Sequence, residues 1–193
     1  GVITQPDKPA GRDLKPRMSA IKQIAIAQNL PVQQPEKLRS AAALEDLRAL
    51  APDLMVVAAY GQILPKSVLE TPRLGCLNLH ASLLPRHRGA SPIHASILAG
   101  EHETGITVMY MDEGLDTGDI LTQRATPIHA EDNSETLHHR LAQIGAELLV
   151  ATIPDYAAGK IAPTFNSPVP NSNFVLENVQ SRWRLQFGAK LKF

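Results

Sequence analysis

A chain of 193 residues with 44% apolar content is long enough for one α/β domain with a real core and too short for a second complete one. Lys and Arg balance Asp and Glu at 19 each, so global charge argues neither for nor against a polyanionic partner, and no stretch approaches the roughly twenty apolar residues of a membrane span. The charge is unevenly placed, with +3 on the first 22 residues, +4 on the last twelve and −7 between them.

In chain order, the first segment carries Lys8, Arg12, Lys15, Arg17 and Lys22 against Asp7 and Asp13. Pro6, Pro9, Gly11 and Pro16 exclude regular helix or central strand, which predicts an exposed mobile loop presenting cations. Charge alone makes it a solvated basic loop without a partner. Met18, Ile21, Ile24 and Ala25 then follow helical spacing, as do Leu44, Leu47 and Leu50, and Leu54 to Ala59 is a continuous apolar run suited to a strand covered on both faces. Cys76-Leu77-Asn78-Leu79 reads as a strand after Gly75. A helix from about Pro92 to Ala99, strands over Gly105 to Met111 and Ile120 to Thr126, and a long helix from Ser134 complete the pattern. Asp132 and Glu135 make a capping box for that helix, and Pro154 is expected to kink or end it. Alternating elements of this kind predict an α/β fold with a doubly wound, mostly parallel sheet. Phe165 to Gln186 is rich in Asn, Ser and Pro and reads as linker or poorly ordered tail, so the expected division is a domain over 1–163 and a tail over 164–193.

Side chains alternate along a strand, so Asn78 and His80 should emerge on one face at its carboxyl end. A carboxamide and an imidazole converging from one side suit an oxygen that gains negative charge during acyl transfer. Asp116, in a Gly-punctuated turn after the run Thr107 to Met111, could orient and charge His80 or accept a proton from a nucleophile. A single His at a strand end is nevertheless more often a satisfied surface histidine, and an Asp before Thr-Gly is usually a turn residue. Cys76 is the lone cysteine, which excludes an internal disulfide and fits a reducing compartment, and it reads as buried filler. The seven histidines show no metal-site spacing, since adjacent His138 and His139 cannot share one helix face, and no metal is implied.

The run from Asn78-Leu79-His80-Ala81-Ser82-Leu83-Leu84-Pro85 through Arg86-His87-Arg88-Gly89, continued by Gly105 to Val108 and by Asp112 to Asp119, resembles the folate-dependent formyltransferases. Thr4 to Arg12 and Ala59-Tyr60-Gly61-Gln62-Ile63-Leu64-Pro65 are similar to the methionyl-tRNA formyltransferase branch of that superfamily. The likeness covers roughly residues 1 to 163 and implies a Rossmann-like formyltransferase architecture. It implies that Asn78, His80 and Asp116 are a catalytic triad moving a formyl group from 10-formyltetrahydrofolate to the α-amine of methionyl initiator tRNA in translation initiation. It also implies folate contacts from Tyr60, Gly61, Gln62, Ile63 and Leu64, from Ser82, Leu83, Leu84 and Pro85, and from Leu115, Thr117, Gly118 and Asp119. By the same likeness Lys8, Arg12, Lys15 and Arg17 would meet the acceptor stem, with Arg12 the key arginine and Asp13 a departure that weakens phosphate attraction modestly.

The resemblance further implies a monomer without metal or membrane, cytoplasmic in a bacterium or placed in a mitochondrion or plastid in a eukaryote. It begins at what matches the end of the family's second strand, so the expectation is a fragment without the first strand, its turn and the first helix. Related enzymes that formylate a sugar-nucleotide or glycinamide ribonucleotide amine, or hydrolyse the folate, use a similar triad. The cationic loop weighs against them, because a small substrate needs no acceptor-stem reader. Readings from other classes are a dinucleotide-binding oxidoreductase, for which no Gly-x-Gly-x-x-Gly occurs, and an inactive tRNA-binding fragment.

Overall fold

The computed structural model describes residues 1–10 and 15–161, which divide into two compact units. The first comprises Gly1–Asp53 and Ala59–Arg73. In it β1 (Val2–Ile3) pairs in parallel with β4 (Val32–Gln33), in the register Val2↔Val32. Between them lie β2 (Lys8–Ala10), β3 (Lys15–Arg17) and α1 (Ala20–Ala27); α2 (Ala41–Ala49) and α3 (Lys66–Leu69) follow. Ser19 and Ser40 cap α1 and α2 by accepting the backbone N–H groups of Lys22 and Ala43.

The predicted mobile loop is instead an antiparallel hairpin, β2 against β3. Its prolines are tolerated because Pro9 stands directly opposite Pro16, so the missing N–H groups fall at one ladder position rather than at two. Helical spacing in α1 is real, but its expected apolar face is not buried within the unit. Ala25 is 1% exposed while Met18, Ile21 and Ile24 are 47%, 51% and 59% exposed.

The second unit comprises Leu54–Ala58 and the chain from Leu74 onward. Its sheet has the order β5 (Met55–Val57), β6 (Cys76–His80), β7 (Glu103–Tyr110), β8 (Ile120–Pro127). The fold is α/β as predicted, with a mixed sheet: β5 and β6 are parallel, whereas β7 runs antiparallel to both β6 and β8. The connection from β7 to β8 is a short turned loop, which only antiparallel strands can use. Helices α4 (Pro92–Leu98) and α5 (Ser134–Ala157) pack against β7, and Leu77, Ile106, Val108, Leu121, Leu137, Leu141 and Leu148 form the core. Gly145 lets α5 approach the sheet, since a Cβ there would stand 2.8 Å from Leu79 Cδ2.

Two details of α5 correct the sequence reading. Asn133, not Asp132, is the N-cap, and its reciprocal partner is Thr136 rather than Glu135. Asp132 accepts instead from the His129 backbone N–H, the Thr136 hydroxyl and Arg140. Pro154 does not end the helix, which runs on to Ala157. The carbonyl that Pro154 leaves without a donor belongs to Val150, which is 70% exposed, so water can satisfy it. The tail over 164–193 lies outside the described residues.

Candidate active site

Strand β6 supplies the first two side chains. Its alternation puts Asn78 and His80 on one face, opposite Met109 and Thr107 of β7. The third, Asp116, comes from the loop joining β7 to β8, whose ends are tied by the Tyr110 N–H to the Asp119 carbonyl at 2.8 Å. Inside the loop, Asp112 accepts the Gly114 N–H at 3.0 Å and the Thr117 hydroxyl at 2.8 Å. Gly118 is required where the loop returns, since a Cβ would run into the Tyr110 carbonyl oxygen. These ties force Asp116 into left-handed backbone, φ +51°, a conformation that Asp tolerates better than most residues.

The Asp116 carboxylate gathers the site. Oδ1 accepts from Asn78 Nδ2 at 3.3 Å, and Oδ2 accepts from the Gly89 N–H at 2.7 Å with His80 Nδ1 at 3.5 Å. On its other side, His80 donates from Nε2 to the His87 carbonyl at 2.8 Å, because a carbonyl oxygen can only accept. Both ring nitrogens of His80 thus face acceptors, an arrangement suited to an imidazolium. His80 is 5% exposed and the Asp116 side chain 14%, so these contacts operate largely away from water. Arg88, between His87 and Gly89, is also buried, and Asp116 and Asp112 offset the cost of burying its charge. Desolvation pulls its guanidinium below the usual range and those carboxylates pull it back up.

The loop from Ser82 to Gly89 that carries these backbone contacts is fastened to the sheet. Thr107 donates its hydroxyl to the Ser82 carbonyl at 2.7 Å and accepts from the Leu84 N–H and from Gln123. Gln123 also donates to the Leu84 carbonyl, and the buried Ser82 hydroxyl donates to the Arg86 carbonyl at 2.6 Å. The Leu84–Pro85 peptide is cis. Of the residues predicted around the triad, Ser82, Leu83, Leu84, Pro85, Leu115, Thr117, Gly118 and Asp119 belong to this unit's two loops. The Ser82 side chain is committed to the protein itself.

Tyr60, Gly61, Gln62, Ile63 and Leu64 belong to the other unit. There Gln62 accepts from the Leu38 N–H at 3.1 Å and donates to the Glu36 carbonyl, Leu64 is buried and Ile63 is half exposed. The Tyr60 hydroxyl is buried without a hydrogen-bond partner among the described residues, and burial pushes its pKa up. In the hairpin, Lys8 Nζ donates to Gln5 at 2.6 Å and Arg17 is exposed, while Lys22 is neutralised by Asp7 at 2.6 Å. Arg12 and the Lys15 side chain lie outside the described residues. Sequence reasoning placed the loop of His87, Arg88 and Gly89 near the site and read Gly89 as permitting a turn, which its φ of +87° bears out, but it assigned none of the three a contact with the triad, because backbone donors and acceptors leave no mark on residue type. Among the described residues no group of three or more His, Cys, Asp and Glu side chains could hold a metal, and no helix is long and apolar enough to cross a membrane.

Residues 1–153 match the family described as formyl transferase. The chain belongs to that family. As a formyl transferase it is 57% identical over 162 residues to the methionyl-tRNA formyltransferase of Halorhodospira halophila, covering 84% of this chain and 52% of the relative. It is 52% identical over 167 residues to that of Listeria monocytogenes, covering 86% and 54%. The chain spans about half the length of the curated relatives it matches. Among solved structures, a phosphoribosylglycinamide formyltransferase from Bacillus halodurans shares 30% identity with a TM-score of 0.63, covering 78% of this chain and 76% of that one. The formyltransferase PseJ from Anoxybacillus kamchatkensis, solved with a formamido sugar nucleotide and tetrahydrofolate, shares 27% identity with a TM-score of 0.62, covering 80% and 79%.

Proposed function

We propose that this chain carries the catalytic part, over residues 1–163, of an enzyme that moves the formyl group of 10-formyltetrahydrofolate to the α-amine of methionyl initiator tRNA. The observation that carries the reading is the Asp116 carboxylate holding Asn78 and His80 together at the end of β6. Identities of 52% and 57% to methionyl-tRNA formyltransferases favour this acceptor over the small amines of the more distant structural relatives. The amine attacks the formyl carbon, and negative charge collects on the formyl oxygen. Asn78 has a second amide N–H left to donate to that oxyanion, and His80, set between the Asp116 carboxylate and the His87 carbonyl, is the second group assigned to stabilising it. Asp116 is placed to take the proton lost by the attacking amine, directly or through water, for return to the departing folate nitrogen. The loops bearing Ser82, Leu83, Leu84, Pro85, Leu115, Thr117, Gly118 and Asp119 are assigned to the folate, and Lys8, Arg12, Lys15 and Arg17 to tRNA phosphates. This role places the protein in the compartment where translation starts.

The deciding experiment is formyl transfer to methionyl initiator tRNA, with glycinamide ribonucleotide and an amino sugar nucleotide as competing acceptors. Expected is transfer to the tRNA, lost in His80→Ala and reduced about a hundredfold to a thousandfold in kcat by Asn78→Ala at nearly unchanged folate affinity. Transfer to a small amine instead, or release of formate alone, overturns the assignment, and an equal loss of folate binding in Asn78→Ala overturns its role.

A further inference from the structure

The loop after β6 contains an unusual combination at one residue. His87 is a non-glycine residue in left-handed backbone, φ +53°, and its carbonyl accepts from His80 Nε2 at 2.8 Å. Its ring nitrogen Nε2 lies 2.9 Å from Glu101 Oε1 without the geometry of a hydrogen bond, with Arg86 Nη1 3.8 Å from the same oxygen. His87 and Glu101 side chains are 18% and 21% exposed, so this contact is sheltered. The Ser82 hydroxyl anchors the preceding carbonyl, that of Arg86, and the following Gly89 donates its N–H to Asp116. The peptides flanking His87 are thus fixed on both sides.

We propose that His87 is a positioning residue whose main-chain carbonyl fixes the tautomer and tilt of His80. Nε2 of His80 keeps its hydrogen on that carbonyl, and Nδ1 is left to face Asp116. The opposite tautomer would set the bare Nε2 lone pair against the carbonyl oxygen, and a flipped ring would set a ring C–H there, so the imidazolium would lose one of its two acceptors. Left-handed backbone is what aims the carbonyl at the ring. Glycine adopts it freely, and a β-branched residue is a steric outlier there.

The direct test is 15N NMR of the chain with labelled histidine, the His80 signal being assigned with a His80→Gln variant. With the ring neutral, His80 is expected as the Nε2–H tautomer in the unaltered chain and in His87→Gly, and as a mixture in His87→Val. The Nδ1–H tautomer in the unaltered chain overturns the proposal whether or not any variant folds. The kinetic arm rests on the formyl-transfer reading, whereas the tautomer is read without any substrate, so the two can fail separately. In that arm His87→Val should lower kcat roughly a hundredfold with KM for the folate within about threefold, and His87→Gly should recover most of the loss. Equal losses in Gly and Val would assign the effect to the imidazole of His87 and overturn the role of its carbonyl.

Discussion

Thr107 shows how much of the site depends on a hydroxyl that touches none of the triad. Its Oγ1 donates once and accepts twice, which exhausts the capacity of the group, and the residue is fully buried. Thr107→Val keeps the volume but leaves the Leu84 N–H without its acceptor and the Ser82 carbonyl without its donor. The expected cost is about 1–3 kcal/mol, read as a lower denaturant midpoint at unchanged slope. The same fastening holds the loop that brings the His87 carbonyl and Gly89 N–H to the triad, so turnover should fall with stability. At this scale the sequence was informative about side chains and silent about main chain. Asn78, His80 and Asp116 are visible as residue types at a telling spacing, and the structure brings them together. The Gly89 N–H on Asp116 and the His87 carbonyl on His80 could not be read, because every residue owns such groups and only the turn geometry aims them.

The start of α5 carries the element-scale lesson. Asp132 lies beside the Arg140 guanidinium at 2.7 Å and accepts the His129 N–H, and these hold its carboxyl at about 2, below the ordinary 3.8. A depressed folded value means that the unfolded chain takes up the proton first. The stabilisation is therefore whole above about pH 4 and is lost as pH falls toward 2. Asp132→Asn should lower Tm relative to the unaltered chain near neutral pH, with the gap closing across that acid window. A gap that persists at the acid end would show a packing effect instead. The existence of the helix was legible from its period, and its cap was misread by one residue. Asn133 and Asp132 both suit an N-cap, and the choice fell to Arg140, two turns into the same helix, which occupies the Asp. Strand directions were legible in part. Apolar runs such as Leu54 to Ala59 fit a parallel strand, but β7, buried from Thr104 to Met109, mixes apolar residues with threonines and runs antiparallel. The expectation that the Leu54 to Ala59 run is covered on both faces is corrected too, since β5 spans only Met55–Val57 and Val56 is 40% exposed.

Across the whole molecule the charges sum to zero while the hairpin concentrates them. Lys22, included among the basic residues of the first segment, pairs with Asp7, while Lys8 and Arg17 are exposed on strands that face each other in register. If the hairpin meets phosphates as proposed, Lys8→Ala or Arg12→Ala should each weaken tRNA use and reduce the salt dependence of binding by about one unit of slope. An unchanged slope would remove the hairpin from the interface. One further property follows from the first residue of β6. Cys76 is the sole cysteine of the chain, 1% exposed, and burial pushes its thiol up to about 12, so folded molecules present almost no thiolate to an electrophile. Alkylation must then wait for that strand to open. The protein thereby carries a built-in clock, in which the rate of maleimide capture at a single atom counts how often the strand bearing Asn78 and His80 comes apart.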